Sequence, residues 1–229
     1  MPGVRYAVYL RPARELEAAV AALHRRMERR WGLVAAGRFM PHVTLKGFFA
    51  AEADPAELER RVWAALAHHG PVPLHQAGVT AFGTDAVVLD VDGDGAGARN
   101  EALHGLHVAM VDAMAPLVAP GCRFSAREHV RDAFRAHVTL AMADIPPVRF
   151  AAVLADARSL EPIGPPVSAA AAVQLAAFRS AAWDGPWWET LTWRVLAERA
   201  LEQPITPPRA GSAADPPCPR LRRRADWPG

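Results

Sequence analysis

A seven-residue pattern, Phe-x-x-His-Val-Thr-Leu, occurs twice in the chain, at residues 39–45 and again at residues 134–140. In both copies the Val and Leu alternate with the His and Thr at a period of two, which is typical of a half-buried β-strand. Because successive side chains of a strand point to opposite faces, the apolar pair enters a core while His and Thr emerge together on the other side. The pattern therefore predicts two similar strands, each presenting an imidazole and a hydroxyl.

The four polar side chains of these strands are His42, Thr44, His137 and Thr139. One His-x-Thr pair is ordinary on a strand face, but two in matching context supply a general base, a general acid and two hydroxyl donors. A displacement at a phosphate diester requires these groups. Since histidine has an unperturbed pKa near 6.5, one ring can accept a proton near neutral pH while the other donates one. We predict a catalytic site of these four residues that uses no metal and no cofactor.

The motif segments, Pro41 to Gly47 and Ala136 to Leu140, resemble those of the 2H phosphoesterases, in particular the bacterial 2′-5′ RNA ligase-like cyclic phosphodiesterases. The resemblance covers about residues 4–199. It implies an enzyme that opens RNA 2′,3′-cyclic phosphates to 2′-phosphates, and in some members the reverse reaction, ATP-independent 2′-5′ RNA ligation. It also implies that His137 is the base of hydrolysis and His42 the acid. The near symmetry of the motifs leaves that assignment open when the residues alone are considered.

The elements around the two motifs follow the same order, which is helix, His-x-Thr strand, helix and two further strands. We therefore predict an α+β protein of two pseudo-symmetric lobes, each an antiparallel sheet with helices, facing each other across a central cleft with one motif per lobe. The first lobe is expected over about residues 11–91 and the second over about 100–199, with a strand at 4–10 completing the sheet. Residues 1–203 would form one such domain.

The end of the chain differs in composition from the rest. Residues 204–229 are rich in Pro and Arg with few core-forming residues, and we predict a disordered tail. From Gln203 onward five arginines outweigh two aspartates, whereas the whole chain has a formal charge of +2. The remaining body is therefore close to neutral. Such a body argues against tight binding along a duplex, and it suits an RNA end or a small cyclic nucleotide.

The sequence also bears on location and assembly. No apolar run is long enough to span a membrane and no signal-peptide pattern opens the chain, so we expect a cytoplasmic protein without membrane contact. Only Cys122 and Cys218 occur, so a disulfide framework is not expected. We expect a monomer.

Two basic residues beside the motifs are further candidates for substrate binding. Lys46 follows His42 and Thr44 at the same period of two, so it is expected on their strand face as a phosphate or base contact. Arg135 lies two residues before His137 and is the second candidate.

Two other patterns allow a metal interpretation. The segment Asp90 to Gly95 with Glu101 matches every fixed position of a calcium loop, D-x-D-x-D-G-x5-E. A strand precedes it, however, and a turn between strand and helix explains the same Asp and Gly residues. Glu101, His104 and His107 share a stripe of a predicted helix, for which we favour a solvated helix face over a metal site.

Two other functions remain open alongside the RNA cyclic phosphodiesterase. A phosphodiesterase that acts on small cyclic nucleotides or 2′-5′ linkages would use the same four residues. A noncatalytic RNA-end binding protein would keep the cleft without turnover. Four tryptophans between Trp183 and Trp193 are expected to pack a closing hairpin, with stacking on bases as the alternative.

Overall fold

A computed structural model describes residues 3–126 and 128–201, so the segment predicted to be a disordered tail lies outside the described residues. The eight strands are β1 to β8, at Arg5–Pro12, Val43–Phe49, Pro73–His75, Gly78–Phe82, Ala86–Asp90, His137–Met142, Val167–Arg179 and Thr192–Ala200. The five α-helices are α1 to α5, at Arg14–Trp31, Pro55–Leu66, Glu101–Met114, Arg123–Ala126 and Phe150–Arg158. Short 3-10 turns lie at Ala36–Arg38, Ala115–Leu117, Arg131–Ala133 and Pro147–Arg149.

The strands form one antiparallel sheet in the order β3-β7-β1-β2-β6-β5-β4, and β8 also pairs with β7. Both motif strands, β2 and β6, occupy the middle of this sheet and pair with each other. The α+β class expected from the sequence is confirmed.

The sheet corrects the assignment of strands to lobes. The β4–β5 hairpin, expected in the first lobe, pairs with the second motif strand β6, whereas β7 and β8 pair on the side of β1 and the first motif strand. The reason is that β2 and β7 already cover both edges of β1, and β1 and β6 cover both edges of β2. Hydrophobic periodicity predicts the face of a strand but does not select the partner at its edge.

The helices cover one face of the sheet. Helix α1 buries Leu16, Val20, Leu23 and Met27, which recur at helical spacing, and it ends at Gly32 in a left-handed conformation. These residues share one core with buried residues of α2, α3 and α5 and with inward-facing strand residues. No described helix combines the length and apolar composition that a membrane span requires.

The other face of the sheet carries an aromatic cluster beside the motif strands. Phe48 lies 4.9 Å from Phe178 and 5.3 Å from Trp183, measured between ring centroids, and Phe39 lies 5.8 Å from Trp187. Trp183 is buried within this cluster. Trp183 and Trp187 thus pack among aromatic rings, in agreement with the hairpin interpretation.

Candidate active site

The pairing of the two motif strands brings their polar side chains together. Val43 of β2 lies opposite Val138 of β6 in an antiparallel register. Continued by one residue on each side, this register would set His42 opposite Thr139 and Thr44 opposite His137. Thr44 and His137 line a common cavity, and His137 lies within electrostatic range of His42.

Both histidines are held by the same local contact. Nδ1–H of His42 donates to the Met40 carbonyl at 2.7 Å, and Nδ1–H of His137 donates to the Arg135 carbonyl at 2.7 Å. Because a carbonyl oxygen only accepts, the proton of each neutral ring is on Nδ1. The Nε2 atom of each ring is therefore the one with a lone pair for chemistry.

Aromatic rings pack against both imidazoles. Tyr9 stacks on His42 at 3.7 Å between centroids, and Phe82 lies 4.3 Å from His137. Burial lowers the pKa of His42 to about 4, although the Met40 carbonyl opposes this shift. Burial also lowers the pKa of His137. Both rings are therefore neutral at pH 7 in the free protein.

Acidic residues distinguish the two histidines. His137 lies opposite Asp90 in the pairing of β5 with β6. The Arg135 carbonyl and then the charges of Asp90 and Asp92 oppose the lowering of the His137 pKa, whereas the charge of His129 adds to it. The charges that act on His42 come from His137 and His24, and both lower its pKa further. Carboxylates thus stabilise the protonated form of His137 but not that of His42.

A cavity of about 150 Å³ adjoins the second histidine. Thr44, His137 and Arg135 are among its lining residues, together with Phe82, His107, Glu128, His129 and Phe134. His42 and Thr139 lie on the same strand junction but do not line this cavity. The carbonyl of Thr139 interacts with Nε2 of His24 at 2.9 Å.

The two basic candidates occupy different positions. Arg135 is exposed, lines the cavity and donates to the Phe134 carbonyl at 2.8 Å. Lys46 is only 3% exposed, and its ammonium forms a salt bridge with Glu128. The cavity thus meets Arg135 directly, whereas Lys46 lies behind a carboxylate.

Three buried or half-buried residues of the site were not assigned a role from the sequence. No role was assigned to His24 or Glu128. His107 was expected on a solvated helix face, but it is 1% exposed, so that interpretation is wrong. His107 lies on the stripe of α3 that contains Leu103 and Met110, and this spacing could have indicated its burial. Glu128 comes from an irregular segment, where no periodicity was available.

The aspartates of the calcium-like segment bind backbone groups. Asp90 accepts from the Asp92 N–H and Asp92 from the Ala136 N–H, both at 2.9 Å. Asp94 accepts from the N–H groups of Ala96 and Ala98 at 2.8 and 3.0 Å. Across residues 3–126 and 128–201, no three His, Cys, Asp or Glu side chains are grouped so that they could hold a metal ion. The segment has the contacts of a turn, and Asp92 anchors the residue before His137.

Comparison with known proteins establishes the family. The model of the 2′-5′ RNA ligase superfamily matches residues 12–177, a span that includes both motifs. The chain belongs to this superfamily, and the resemblance to the 2H phosphoesterases is confirmed. No curated protein matches the sequence significantly.

Solved structures share the fold at low sequence identity. E. coli LigT complexed with ATP is 15% identical with a TM-score of 0.53, over 89% of this chain and 100% of LigT. The complex of LigT with NADP+ is 18% identical with a TM-score of 0.51, over the same shares. The protein TT0787 of Thermus thermophilus is 16% identical with a TM-score of 0.51, over 87% of this chain and 98% of that one. These matches show a common fold.

Proposed function

We propose that the protein opens RNA 2′,3′-cyclic phosphate ends to 2′-phosphates by general acid–base catalysis of its two motif histidines, without a metal ion. The observation that carries this proposal is the pairing of Val43 with Val138, which brings the two motif strands side by side in the middle of the sheet. The membership in the 2′-5′ RNA ligase superfamily supports phosphoester chemistry.

In the proposed reaction, a neutral imidazole takes a proton through Nε2 from a water molecule as its oxygen attacks phosphorus. The new P–O bond forms while the bond from phosphorus to the ribose O3′ breaks, and the other histidine, protonated, delivers its proton to O3′. Thr44 and Thr139 donate to the nonbridging oxygens as negative charge increases on them. In the ligation reaction, the 5′-hydroxyl of a second RNA takes the place of water. One histidine removes the proton of this hydroxyl and the other protonates O3′, so that a 2′-5′ bond joins the two ends without ATP.

The protonated histidine acquires its proton as the substrate binds. Both pKa values are lowered in the free protein, mainly by burial. A bound phosphate diester carries negative charge, which favours an imidazolium beside it. The family resemblance assigns the base to His137 and the acid to His42. Asp90 and Asp92, by contrast, stabilise a protonated His137.

A nucleotide-type ligand is supported by the comparison with solved structures. E. coli LigT, which shares the fold, has been crystallised with ATP and with NADP+. These ligands are small nucleotides, which also favours the second candidate, a phosphodiesterase for small cyclic nucleotides or 2′-5′ linkages. Lys46 and Arg135 remain proposed substrate contacts.

The test uses purified protein treated with EDTA and a short RNA that ends in a 2′,3′-cyclic phosphate. We expect the wild type to yield the 2′-phosphate, and His42→Ala and His137→Ala each to lower turnover by about 10²–10⁴-fold, the usual contribution of a positioned acid or base. His68→Ala, which removes an exposed histidine, is the matched control. Near-normal rates in either motif variant would refute the mechanism. Binding of the RNA without turnover by the wild type would favour the noncatalytic RNA-end binder.

A further inference from the structure

A carboxylate of the chain itself occupies a position beside the proposed catalytic groups that is built to hold an anion. One oxygen of Glu128 accepts from the Lys46 ammonium and the other from the Gly47 backbone N–H. The Lys46 side chain is 4% exposed and that of Glu128 is 12% exposed. The two donors come from consecutive residues of β2, and Lys46 lies two residues after Thr44.

The residue at position 47 allows the anion to approach its donor closely. A Cβ atom at Gly47 would lie 3.1 Å from Oε1 of Glu128, which is tighter than ordinary packing. Any other residue would press against the carboxylate. Glycine therefore leaves the N–H of residue 47 open to an oxygen atom of an anionic group.

Glu128 separates this position from the cavity. It lines the cavity together with Thr44 and His137, whereas Lys46 does not. Burial raises the pKa of the Tyr9 hydroxyl, and the negative charge of Glu128 raises it further. Glu128 is therefore close to Tyr9. Tyr9 stacks on His42, so Glu128 lies in the electrostatic range of the catalytic centre.

A buried ammonium requires a negative partner, so only an anion can replace Glu128 there without leaving a charge unpaired. Phosphate oxygens accept from lysine and from backbone N–H groups as carboxylate oxygens do. The second donor, the Gly47 backbone N–H, follows Thr44 by three residues, about 10 Å along a strand. A phosphate that accepts from this N–H is therefore distinct from the phosphate that reacts between the histidines.

Building on the proposed function, we propose that Lys46 and the Gly47 N–H form a subsite for a second phosphate of the substrate, which Glu128 occupies in the free protein. The substrate class is then a cyclic-phosphate end with a neighbouring phosphate, either the 5′-phosphate of a mononucleotide or an internucleotide phosphate. Glu128 must leave Lys46 when such a substrate binds. Its carboxylate therefore competes with the incoming anion and lowers the affinity of the subsite.

The first experiment measures binding of inorganic phosphate by titration calorimetry. The full chain carries His42→Ala and His137→Ala, so that the catalytic phosphate position is impaired. We expect Glu128→Gln in this background to tighten phosphate binding by about tenfold or more, because the competing charge is gone. Adding Lys46→Met should abolish the gain. Unchanged or weaker binding by Glu128→Gln would overturn the proposal.

A matched control is Glu161→Gln. Glu161 also accepts a backbone N–H, that of Val79, and it lies 3.1 Å from a Cβ placed at Gly78. It does not line the cavity, so phosphate affinity should not change. If Glu128→Gln is unfolded in a circular-dichroism melt, Glu128→Ala replaces it. This variant also removes the competing charge, and the same gain is expected.

The second experiment compares adenosine 2′,3′-cyclic phosphate, its 5′-phosphorylated form and a dinucleotide ending in the cyclic phosphate, with the motif histidines intact. We expect higher kcat/KM for the substrates with a second phosphate, and loss of that preference in Lys46→Met. The two phosphorylated substrates distinguish a 5′-phosphate from an internucleotide phosphate. A preference that persists in Lys46→Met would overturn the subsite. Absence of turnover on every substrate would refute the proposed function, while the calorimetric gain would still establish the subsite.

Discussion

The contact at Nδ1 determines what each motif histidine can do. His42 and His137 each donate Nδ1–H to the carbonyl two residues earlier, so the ring is fixed by the backbone of its own motif. A motif strand thus carries its proposed catalytic nitrogen and the group that orients it within a few residues. This local arrangement explains why the four residues could be proposed as catalytic from a short repeated pattern.

The hydroxyls should matter less than the imidazoles. Thr44→Val and Thr139→Val keep the β-branched shape but remove the donor, and we expect a loss of about 10–10³-fold in kcat, because a hydroxyl is one of several contacts to the oxyanion. Thr80→Val on β4 is the matched control, since Thr80 does not line the cavity. Wild-type rates in both motif variants would remove the threonines from the mechanism.

The roles of the two histidines can be separated by the leaving group. The 4-nitrophenolate of a nucleotide 4-nitrophenyl ester departs without needing a proton. A variant that lacks the acid should therefore lose about 10²-fold less activity on this ester than on the cyclic substrate. On the assignment from the family, His42→Ala recovers and His137→Ala does not. The measurement is kcat/KM of both variants on both substrates. If only His137→Ala recovers activity on the ester, His137 is the acid, which is the role that the nearby carboxylates favour.

Other residues of the site were beyond sequence reasoning for a physical reason. The partner of Lys46 is Glu128, which comes from an irregular segment far along the chain. A period of two places Lys46 near its strand face, but it does not show that another carboxylate will reach it first. Lys46 and Arg135 could therefore be selected as basic candidates, whereas the burial of one and the exposure of the other could not.

At the scale of elements, helix α3 ties the first motif strand to the segment before the second. Nδ1 of His107 donates to the Leu45 carbonyl of β2 at 2.8 Å, and its Nε2 accepts from the Arg131 N–H at 3.0 Å. Its ring stacks on Phe134 at 3.8 Å with a 4° angle between planes. Arg131 has a φ of 54°, which is unusual for a residue with a side chain. One buried ring therefore stabilises a strained backbone beside the second motif.

Replacing His107 should affect both motifs. His107→Phe keeps an aromatic ring but leaves the Leu45 carbonyl and the Arg131 N–H without this partner, each at a cost of about 1–3 kcal/mol. We expect the free energy of unfolding to fall by about 2–6 kcal/mol. kcat should also fall, because His107 holds the strand of one motif and the segment before the other. Urea unfolding and steady-state kinetics measure this, with the exposed His68→Phe as control. A His107→Phe variant as stable as the control would refute the bridging role.

The motif strands form where the sequence predicts them, but the pairing of the strands differs from the prediction. Strands β2 and β6 form at the two motifs as the pattern predicted, with Val and Leu buried and Thr half-buried. The β4–β5 hairpin paired with β6, against expectation, because edge selection depends on which strands are already covered. Local periodicity contains no such information.

Over the whole molecule, His42 and His107 should make the fold sensitive to acid. Burial lowers the pKa of His42 and of His107 to about 4, from an unfolded value of 6.5. The fold therefore favours the neutral rings, and this stabilisation is complete above about pH 6.5 and is lost as the pH falls towards 4. Each ring accounts for about 3 kcal/mol.

The measurement is the free energy of unfolding in urea at several pH values between about 7.5 and 4.5, the range in which these rings titrate between their two states. We expect it to decrease steadily over this interval, and the decrease to be smaller in His42→Phe, which has one titrating ring fewer. His68→Phe should keep the wild-type slope, because His68 is exposed. A flat profile in the wild type would contradict the burial of these rings in the neutral form.

The exchange of strands between the two parts of the sheet bears on how such a chain could be divided. A cut near Gly97 would separate β6 from the β4–β5 hairpin and would separate β7 from β1, so each piece would expose strand edges that only the other can cover. Neither piece would contain a finished sheet, and each would hold one His-x-Thr strand. The two pieces are therefore interdependent, and they suit a split-protein reporter in which reassembly of the fragments brings the two His-x-Thr strands together again.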